Sequence, residues 1–544
     1  MMAVVMKSIF VFLLLGFSVY SNAQLGQSML IDPKALSLGN AVTADPPGLA
    51  SIHYNPAGLT KLDGRQIGVT MLNVILKSEA TFNLPEDYDG DGELLNFEDD
   101  PVIGQKSKPI AGAYIPGVGI FPLHLPVLAL PSAGFSIKPP GSKFTFATAT
   151  YMPMVAGFVK EEPDDPGRYQ AKQLAMQRMT YLSPSFGYKV NDELSLGAGF
   201  LLSHQGFAIV QDARGVNLIM AATEMLQDAF GCEEGGGGND PLVPFISLCG
   251  GRVGPYRDIG TLSMKLENSM SLSYNLGLLW EPTDWFAWGM AYQSEAKDQL
   301  SGDFEMDYSR DFSGFFSGFR GSIFGAITAA MFQLPSGVSK ETGYVTTEFT
   351  YPQHFQTGFK FRFFDKLQFN VDAGWTDYDE WDSFYFEFDR QLDFLNAAKI
   401  LAPGEVTGNT LRQYLNYKSV WSFGFGLEYQ LSTRLKARIG YEPRVTSIPD
   451  DKRNVMAPLG FAPMYGMGFG YRWDLDTVID VSLSFLKSQE TIEADPQGSN
   501  EFTTSSGSLN RDCLTCLVAN PYPGLDVETK LTVAAAGITF RTKF

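Results

Sequence analysis

The stretch Leu531-Thr532-Val533-Ala534-Ala535-Ala536-Gly537-Ile538-Thr539-Phe540-Arg541-Thr542-Lys543-Phe544 decides the fold. Side chains alternate with period two along an extended chain, so Ile538, Phe540, Thr542 and Phe544 share one face and Thr539, Arg541 and Lys543 the other. A strand that is apolar and aromatic on one side, polar on the other, and stops at an aromatic carboxylate is what the last strand of an outer-membrane β-barrel looks like. Proteins of that kind are recognised through this strand, which makes the barrel-assembly machinery an expected partner.

The same alternation recurs upstream. Leu272, Tyr274, Leu276, Leu278 and Trp280 alternate with Ser273, Asn275 and Gly277. Phe355, Thr357, Phe359, Phe361 and Phe363 alternate with Gln356, Gly358, Lys360 and Arg362, and Trp421, Phe423, Phe425, Leu427 and Tyr429 with Ser422, Gly424, Gly426, Glu428 and Gln430. A single such strand also suits a soluble sandwich, but repetition with polar faces rich in Gly and Ser favours a barrel in lipid. Tight turns at 190–193, 281–284, 364–366, 432–433 and 474–476 alternate with long insertions around 85–107, 159–172, 212–260, 309–344, 389–416, 446–461 and 487–524. Seven long loops imply about fourteen strands, an even number. The expected fold is therefore all-β, a transmembrane antiparallel barrel.

Composition agrees. Of 544 residues only 19% are charged, 13% are aromatic and 55 are glycine, with mean hydropathy near zero, a mixture that suits strands with one apolar face and loops that carry the charge. Lys7, the apolar run Ile9 to Val19 and Ser21-Asn22-Ala23 read as a signal peptide spanning 1–23, too short for a comfortable membrane anchor. No later run of about 20 apolar residues exists, so the mature chain crosses a membrane only as strands. Expected localisation is the bacterial outer membrane, with outer-membrane lipid around a monomer. A net charge of −19 argues against nucleic acid, which needs clustered cations.

Segment 24–64 is small, turn-rich and lacks strand alternation, as a plug would; the wall then spans 65–544. Here a resemblance enters. Ala35-Leu36-Ser37-Leu38-Gly39-Asn40-Ala41, Ala44-Asp45 and His53-Tyr54-Asn55-Pro56-Ala57-Gly58-Leu59-Thr60 resemble the N-terminal hatch of the FadL/TodX family of outer-membrane transporters for long-chain fatty acids and other hydrophobic compounds. Gly167-Arg168-Tyr169, Leu182 to Tyr188, Leu194 to Gly199, Asp365 to Asp372, Arg438 to Tyr441 and Tyr465 to Arg472 resemble later strands of that family in the same order. The resemblance implies a barrel plugged by the hatch, capture of a ligand outside, and release sideways at a kinked third strand. It implies that Asn55, Pro56 and Ala57 meet that kink. Proline cannot donate to a ladder and glycine tolerates distortion, so the kink is expected among Pro139, Pro140, Gly141 and Pro153.

Two loop inserts are apolar or amphipathic, 216–230 and 312–332. In the second, Phe315, Phe316, Phe319, Ile323, Phe324, Ile327, Met331 and Phe332 exceed what a solvated loop leaves exposed, and a ligand groove is expected there. Fatty acids, alkanes and aromatics all remain candidate ligands. Lys360, Arg362, Lys436 and Arg438 either meet a carboxylate or form internal ion pairs. Asp87-Tyr88-Asp89-Gly90-Asp91-Gly92-Glu93 through Glu98 matches a twelve-residue Ca2+ loop, with oxygens from Asp87, Asp89, Asp91, Glu93 (through its carbonyl) and Glu98; a solvated acidic loop is the alternative. No organic cofactor is called for. Four cysteines suggest local disulfides, Cys232 with Cys249 and Cys513 with Cys516, although other pairings and a zinc half-site at the second pair stay open. His53, His124, His204 and His354 sit in no catalytic motif, so an enzyme is not expected. A general diffusion porin or a structural barrel is the alternative to a transporter.

Overall fold

The computed structural model describes residues 31–86, 88, 94–124, 127–401, 407–494, 500–503 and 520–544. The signal peptide, Cys513, Cys516 and the calcium-loop residues Asp87, Asp89, Asp91 and Glu93 lie outside the described residues.

Fourteen antiparallel wall strands close a barrel. They are β1 (Arg65–Asn83), β2 (Leu128–Ile137), β3 (Phe144–Val159), β4 (Gln173–Leu182 and Ser185–Lys189), β5 (Leu194–Arg214), β6 (Asp258–Thr283) and β7 (Phe286–Gln293 and Ala296–Tyr308). The circuit continues with β8 (Lys340–Tyr351 and His354–Phe363), β9 (Leu367–Thr376 and Ser383–Phe388), β10 (Thr410–Tyr414 and Val420–Gln430), β11 (Leu435–Glu442), β12 (Met464–Arg472), β13 (Thr477–Ile492) and β14 (Asp526–Lys543). β14 pairs with β1 from Gln66↔Lys543 to Asn83↔Asp526, which leaves no open edge at the seam. The period-two pattern has its expected consequence: Leu272, Tyr274, Leu276, Trp280, Ile538 and Phe540 are exposed on the outer face, while their neighbours Asn275 and Gly277 face inward against residues 52–57. The turn between β8 and β9 uses Phe364 and Asp365, both with φ above +50°.

Above the lipid-facing band several strands break and restart, and helices fill the long loops: α1 (Leu218–Phe230), α2 (Arg310–Gly321), α3 (Ile323–Phe332) and α4 (Asp393–Leu401). Asn217 caps α1 by accepting from Ile219 and Met220 N–H, and Gly231, with φ +67°, ends it. Cys232, just after the C-terminal cap of α1, and Cys249 are joined in a disulfide. The buried pair Arg214–Asp100, with guanidinium nitrogens 2.9 and 2.6 Å from the carboxylate, ties the top of β5 to the segment after β1.

Candidate transport path

Residues 31–62 sit inside the barrel. Many of their hydrogen bonds go to β7, β9 and β11: Asn40 Nδ2 donates to Glu442 Oε2 (2.7 Å), Thr43 N–H to Asp372 Oδ2 (2.8 Å), Asn370 Nδ2 to Ala41 O (2.7 Å) and Gln293 Nε2 to His53 O (2.8 Å), while Lys138 Nζ, just after β2, donates to Thr60 O (3.0 Å). Asn55 is the most heavily used of these residues. Its Oδ1 accepts from Ala57 N–H (3.1 Å) and its Nδ2 donates to Thr43 O (2.8 Å) and Leu278 O (3.0 Å). The Asn55-Pro56-Ala57 turn rests on a floor made by the paired Gly197 of β5 and Gly277 of β6. A Cβ at Gly197 would lie 2.1 Å from the Pro56 carbonyl carbon, and one at Gly277 2.1 Å from Asn55 Oδ1.

That seat corrects one expectation. Asn55, Pro56 and Ala57 meet β5 and β6, not the irregular part of β3; it is His53 that faces β3, its ring 5.5 Å from that of Tyr151. Toward β3 the contacts are apolar, with Ile52, Leu59 and Leu49 against Ala147, Ala149 and Tyr151. A cavity of about 290 Å³ lies between residues 31–62 and the wall from β10 through the seam to β3, with Lys436, Arg438, Asp480 and Arg541 among its lining.

β3 is kinked at Met152 and Pro153, where its register to β4 slips by one residue between Tyr151↔Thr180 and Met154↔Arg178. Pro139, Pro140 and Gly141 instead form the turn between β2 and β3, with Gly141 at φ +73°. The ladder from β2 to β3 ends at Ala133↔Thr150, and β3 is paired on that side again only at Ala111↔Phe158. Residues 151–157 of β3 thus lack a ladder partner toward β2, an unpaired stretch roughly 20 Å long at about 3.3 Å per residue. Leu130, Val155, Met152, Leu72 and Val74 gather there, in one cluster with Leu36.

At the outer end, α1, α2, α4 and the C-terminal turn of α3, with Met331 and Phe332, enclose a groove of about 940 Å³. Phe315, Phe316, Phe319 and Phe332 line it with Ile219, Met220, Phe394, Ala397 and Ala398. Ile323, Phe324 and Ile327 do not: they point away and are about half exposed, with Phe324 stacked on Phe245 (6.0 Å between ring centroids). Phe312, Phe316 and Phe394 belong at once to the groove and to the largest apolar cluster, which fills the upper barrel through Phe207, Ile209, Met264 and Phe304 and reaches Met154 and Phe158 of β3. One packed apolar cluster therefore runs from the groove to Met154 and Phe158 of β3, beside a second that holds Leu130, Met152 and Val155.

Charges along the path are compensated. Arg178, buried beside the kink, donates to Ser271 Oγ (2.7 Å), lies 3.5 Å from Asp298 Oδ2 and faces the Tyr351 ring at 4.6 Å. Lys360 pairs with Glu281 (3.0 Å), Lys436 with Glu428 (2.5 Å), and Arg438 with Glu428 (2.7 Å) and Asp480 (2.5 Å), while Arg362 is exposed near the turn end. Lys360, Lys436 and Arg438 are thus internally ion-paired in this structure. Just above Phe158, the Lys160 ammonium donates to the carbonyls of Gly167 and Ala171 and lies 4.6 Å from the Phe158 ring; burial pushes its pKa down to about 8, against the pull of Asp165. Of the calcium-loop residues, Glu98 is described and exposed in a one-turn helix capped by Asn96; among the described residues no group of three or more His, Cys, Asp or Glu gathers to hold a metal.

A barrel of this form, with an occupied lumen, a greasy outer groove and a break in the wall at the third strand, invites comparison with known transporters. The family model for outer membrane protein transport proteins (OMPP1/FadL/TodX) matches residues 22–544. The chain belongs to this family. Its members are transport proteins of the outer membrane, which sets enzymes aside. Among solved structures, a FadL homologue of Pseudomonas aeruginosa is 17% identical with a TM-score of 0.66 over 96% of this chain and 100% of that one. The toluene transporter TodX of Pseudomonas putida is 13% identical with a TM-score of 0.58 over 96% and 100%, and the toluene transporter TbuX of Ralstonia pickettii 14% identical with a TM-score of 0.56 over 94% and 98%. At such identities the likeness is one of fold. A comparison with curated proteins returns no match.

Proposed function

We propose that this family member takes up hydrophobic compounds by capturing them in the groove between α1, α2, α3 and α4, passing them through the apolar upper barrel, and releasing them sideways at the unpaired stretch between β2 and β3. The observation that carries the reading is the continuity of one apolar cluster from Phe312, Phe316 and Phe394 to Met154 and Phe158. Physical chemistry selects the sideways route. Each methylene moved from an apolar site to water costs about 0.8 kcal/mol, so a chain of about fifteen would pay roughly 12 kcal/mol to leave through a watery lumen and almost nothing to leave into lipid. Residues 24–64 act as the plug that blocks the straight path, anchored by hydrogen bonds to β6, β7, β9 and β11, with apolar contacts from Leu49, Ile52 and Leu59 toward Ala147, Ala149 and Tyr151 of β3. The barrel works as a monomer in outer-membrane lipid and is inserted by the barrel-assembly machinery. Long-chain fatty acids and hydrocarbons, aromatic ones included, form the substrate class, since the path offers apolar contact, with Arg178 held by Asp298 and the Lys160 ammonium by backbone carbonyls.

The test is saturable binding of a radiolabelled long-chain fatty acid to the purified barrel, competed in turn by an alkane and by toluene. Competition by one or more of these supports the reading. Absence of binding, together with ion conductance in planar bilayers, would replace it with a diffusion porin.

A further inference from the structure

Between Ser107 and Leu128 the chain leaves the wall as a hairpin, Ile110–Ile115 paired with Gly119–Pro122. It folds over the outside of the barrel. On β5, residues 197, 201 and 207 face the lumen, since Gly197 seats Pro56, Leu201 packs on the N-terminal segment and the Phe207 ring meets Phe384 and Phe386. His204, Gly206 and Ala208 therefore face outward. Tyr114 of the hairpin lies over Gly206, where a Cβ would come within 2.4 Å of its ring, and is flanked by Ala175 and Ala208. Its hydroxyl donates to Glu267 Oε2 (2.8 Å), which also accepts from Gly117 N–H (3.0 Å), and Lys265 Nζ donates to Gly117 O (3.1 Å).

Beside the hairpin, on the same outer face, is a cleft of about 520 Å³ lined by Val118, Lys265, Asp303, Glu305, Thr342 and Tyr344. Its height is set by the strands. Outward residues on β6 are apolar up to Leu272 and polar from Glu267, and on β5 they turn from Phe200 and Leu202 to His204. Hairpin and cleft thus sit where hydrocarbon gives way to headgroups. Val118 is 65% exposed and Phe121 48%, side chains that gain free energy only if something apolar covers them, and the Tyr344 ring is 67% exposed at the cleft mouth.

We propose that the hairpin and cleft bind a glycolipid of the outer leaflet, with acyl chains against Val118 and Phe121, sugars against the Tyr344 ring and the hydroxyl and carboxylate groups of Thr342 and Asp303, and a headgroup phosphate toward Lys265. The site is separate from the transport path, because the barrel wall stands between them. The test uses the full barrel in detergent, incubated with purified lipopolysaccharide or with phosphatidylglycerol, passed through gel filtration and analysed for retained lipid by mass spectrometry. About one lipopolysaccharide per barrel is expected, undisplaced by phosphatidylglycerol. The double variant Tyr344→Ser/Lys265→Ser, shown folded by the heat-dependent shift of its gel band, should retain about tenfold less. The variant Val118→Asp, at the hairpin turn, should lose retention as well. No retention, equal retention of both lipids, retention unchanged in the variants, or a dimer of barrels covering the hairpin would each overturn the proposal.

Discussion

Replacing Asn55 with alanine should loosen the N-terminal segment inside an intact barrel. The side chain satisfies three buried backbone groups, the Ala57 N–H and the carbonyls of Thr43 and Leu278. Asn55→Ala leaves all three without that partner, and at about 1 kcal/mol for each the anchoring weakens by roughly 3 kcal/mol. In hydrogen exchange by mass spectrometry, peptides from residues 31–64 should lose protection by about 150-fold, the equivalent of that energy, while peptides from β11 to β14 stay unchanged. Gly277→Ala should act in the same direction, because its Cβ would lie 2.1 Å from Asn55 Oδ1. Planar-bilayer recordings should show ion conductance in both variants that the parent lacks. Protection of 31–64 equal to the parent's in both variants would refute the claim that this turn holds the segment in place.

Three further outcomes are expected. In the groove, Phe316→Ala should weaken ligand binding by about tenfold, through the loss of roughly 1 to 2 kcal/mol of apolar contact, whereas Ile323→Ala should leave it unchanged; equal effects in a binding titration would contradict the assignment of the lining. The folded pKa of Lys160 lies near 8, below the 10.5 of an ordinary lysine, so the unfolded loop holds more proton between those values and stability rises with pH across that window. Segment 160–172 should resist protease better at about pH 10 than at about pH 7.5, and Lys160→Met should abolish the difference; an identical slope in the variant would rule out this lysine as the cause. For the loop 87–98 we propose a structural Ca2+ site with Kd in the range of about 10⁻⁴ to 10⁻³ M. Calorimetry should detect it, and Asp91→Asn or Glu98→Gln should remove it, while heat of binding that survives both substitutions would exclude this loop.

The barrel was legible because its signal is periodic and local. Each strand declares its lipid face by alternation, and the tight turns separate the strands, so strand number and closure follow from patterning. What depended on long-range contact was not. Asn-Pro-Ala could be placed inside the barrel, but its seat is the glycine pair Gly197 and Gly277, two residues more than a hundred positions away that look like any other small inward residues. The proline-rich stretch after β2 carries the chemistry of both a turn and a kink, and only pairing separates Pro139-Pro140-Gly141, a turn, from Pro153, the slip. In α3 the sequence Ile323-Phe324-Gly325-Ala326-Ile327 is apolar on all sides, so no periodicity tells which side meets the groove. α4 was missed although Phe394, Ala397 and Ala398 recur at helical spacing. The outer hairpin was missed for a different reason: Ile110-Ala111-Gly112-Ala113-Tyr114-Ile115 is apolar or small throughout, so no alternation marks its faces, and only the small seat at Gly206 and Ala208 shows it to be outside the wall.

The central claim is that the break between β2 and β3 is the exit. Deleting Pro153 removes the extra residue that slips β3 against β4, and allows residues 151–157 to pair toward β2. In cells, uptake of a labelled long-chain fatty acid and of toluene through the Pro153-deleted barrel should fall to the level of cells lacking it, while the purified variant, folded by its heat-dependent gel shift, still binds both in the groove. Uptake at the parental rate through a folded, ligand-binding variant would contradict the account, because the ligand would then be leaving by another way.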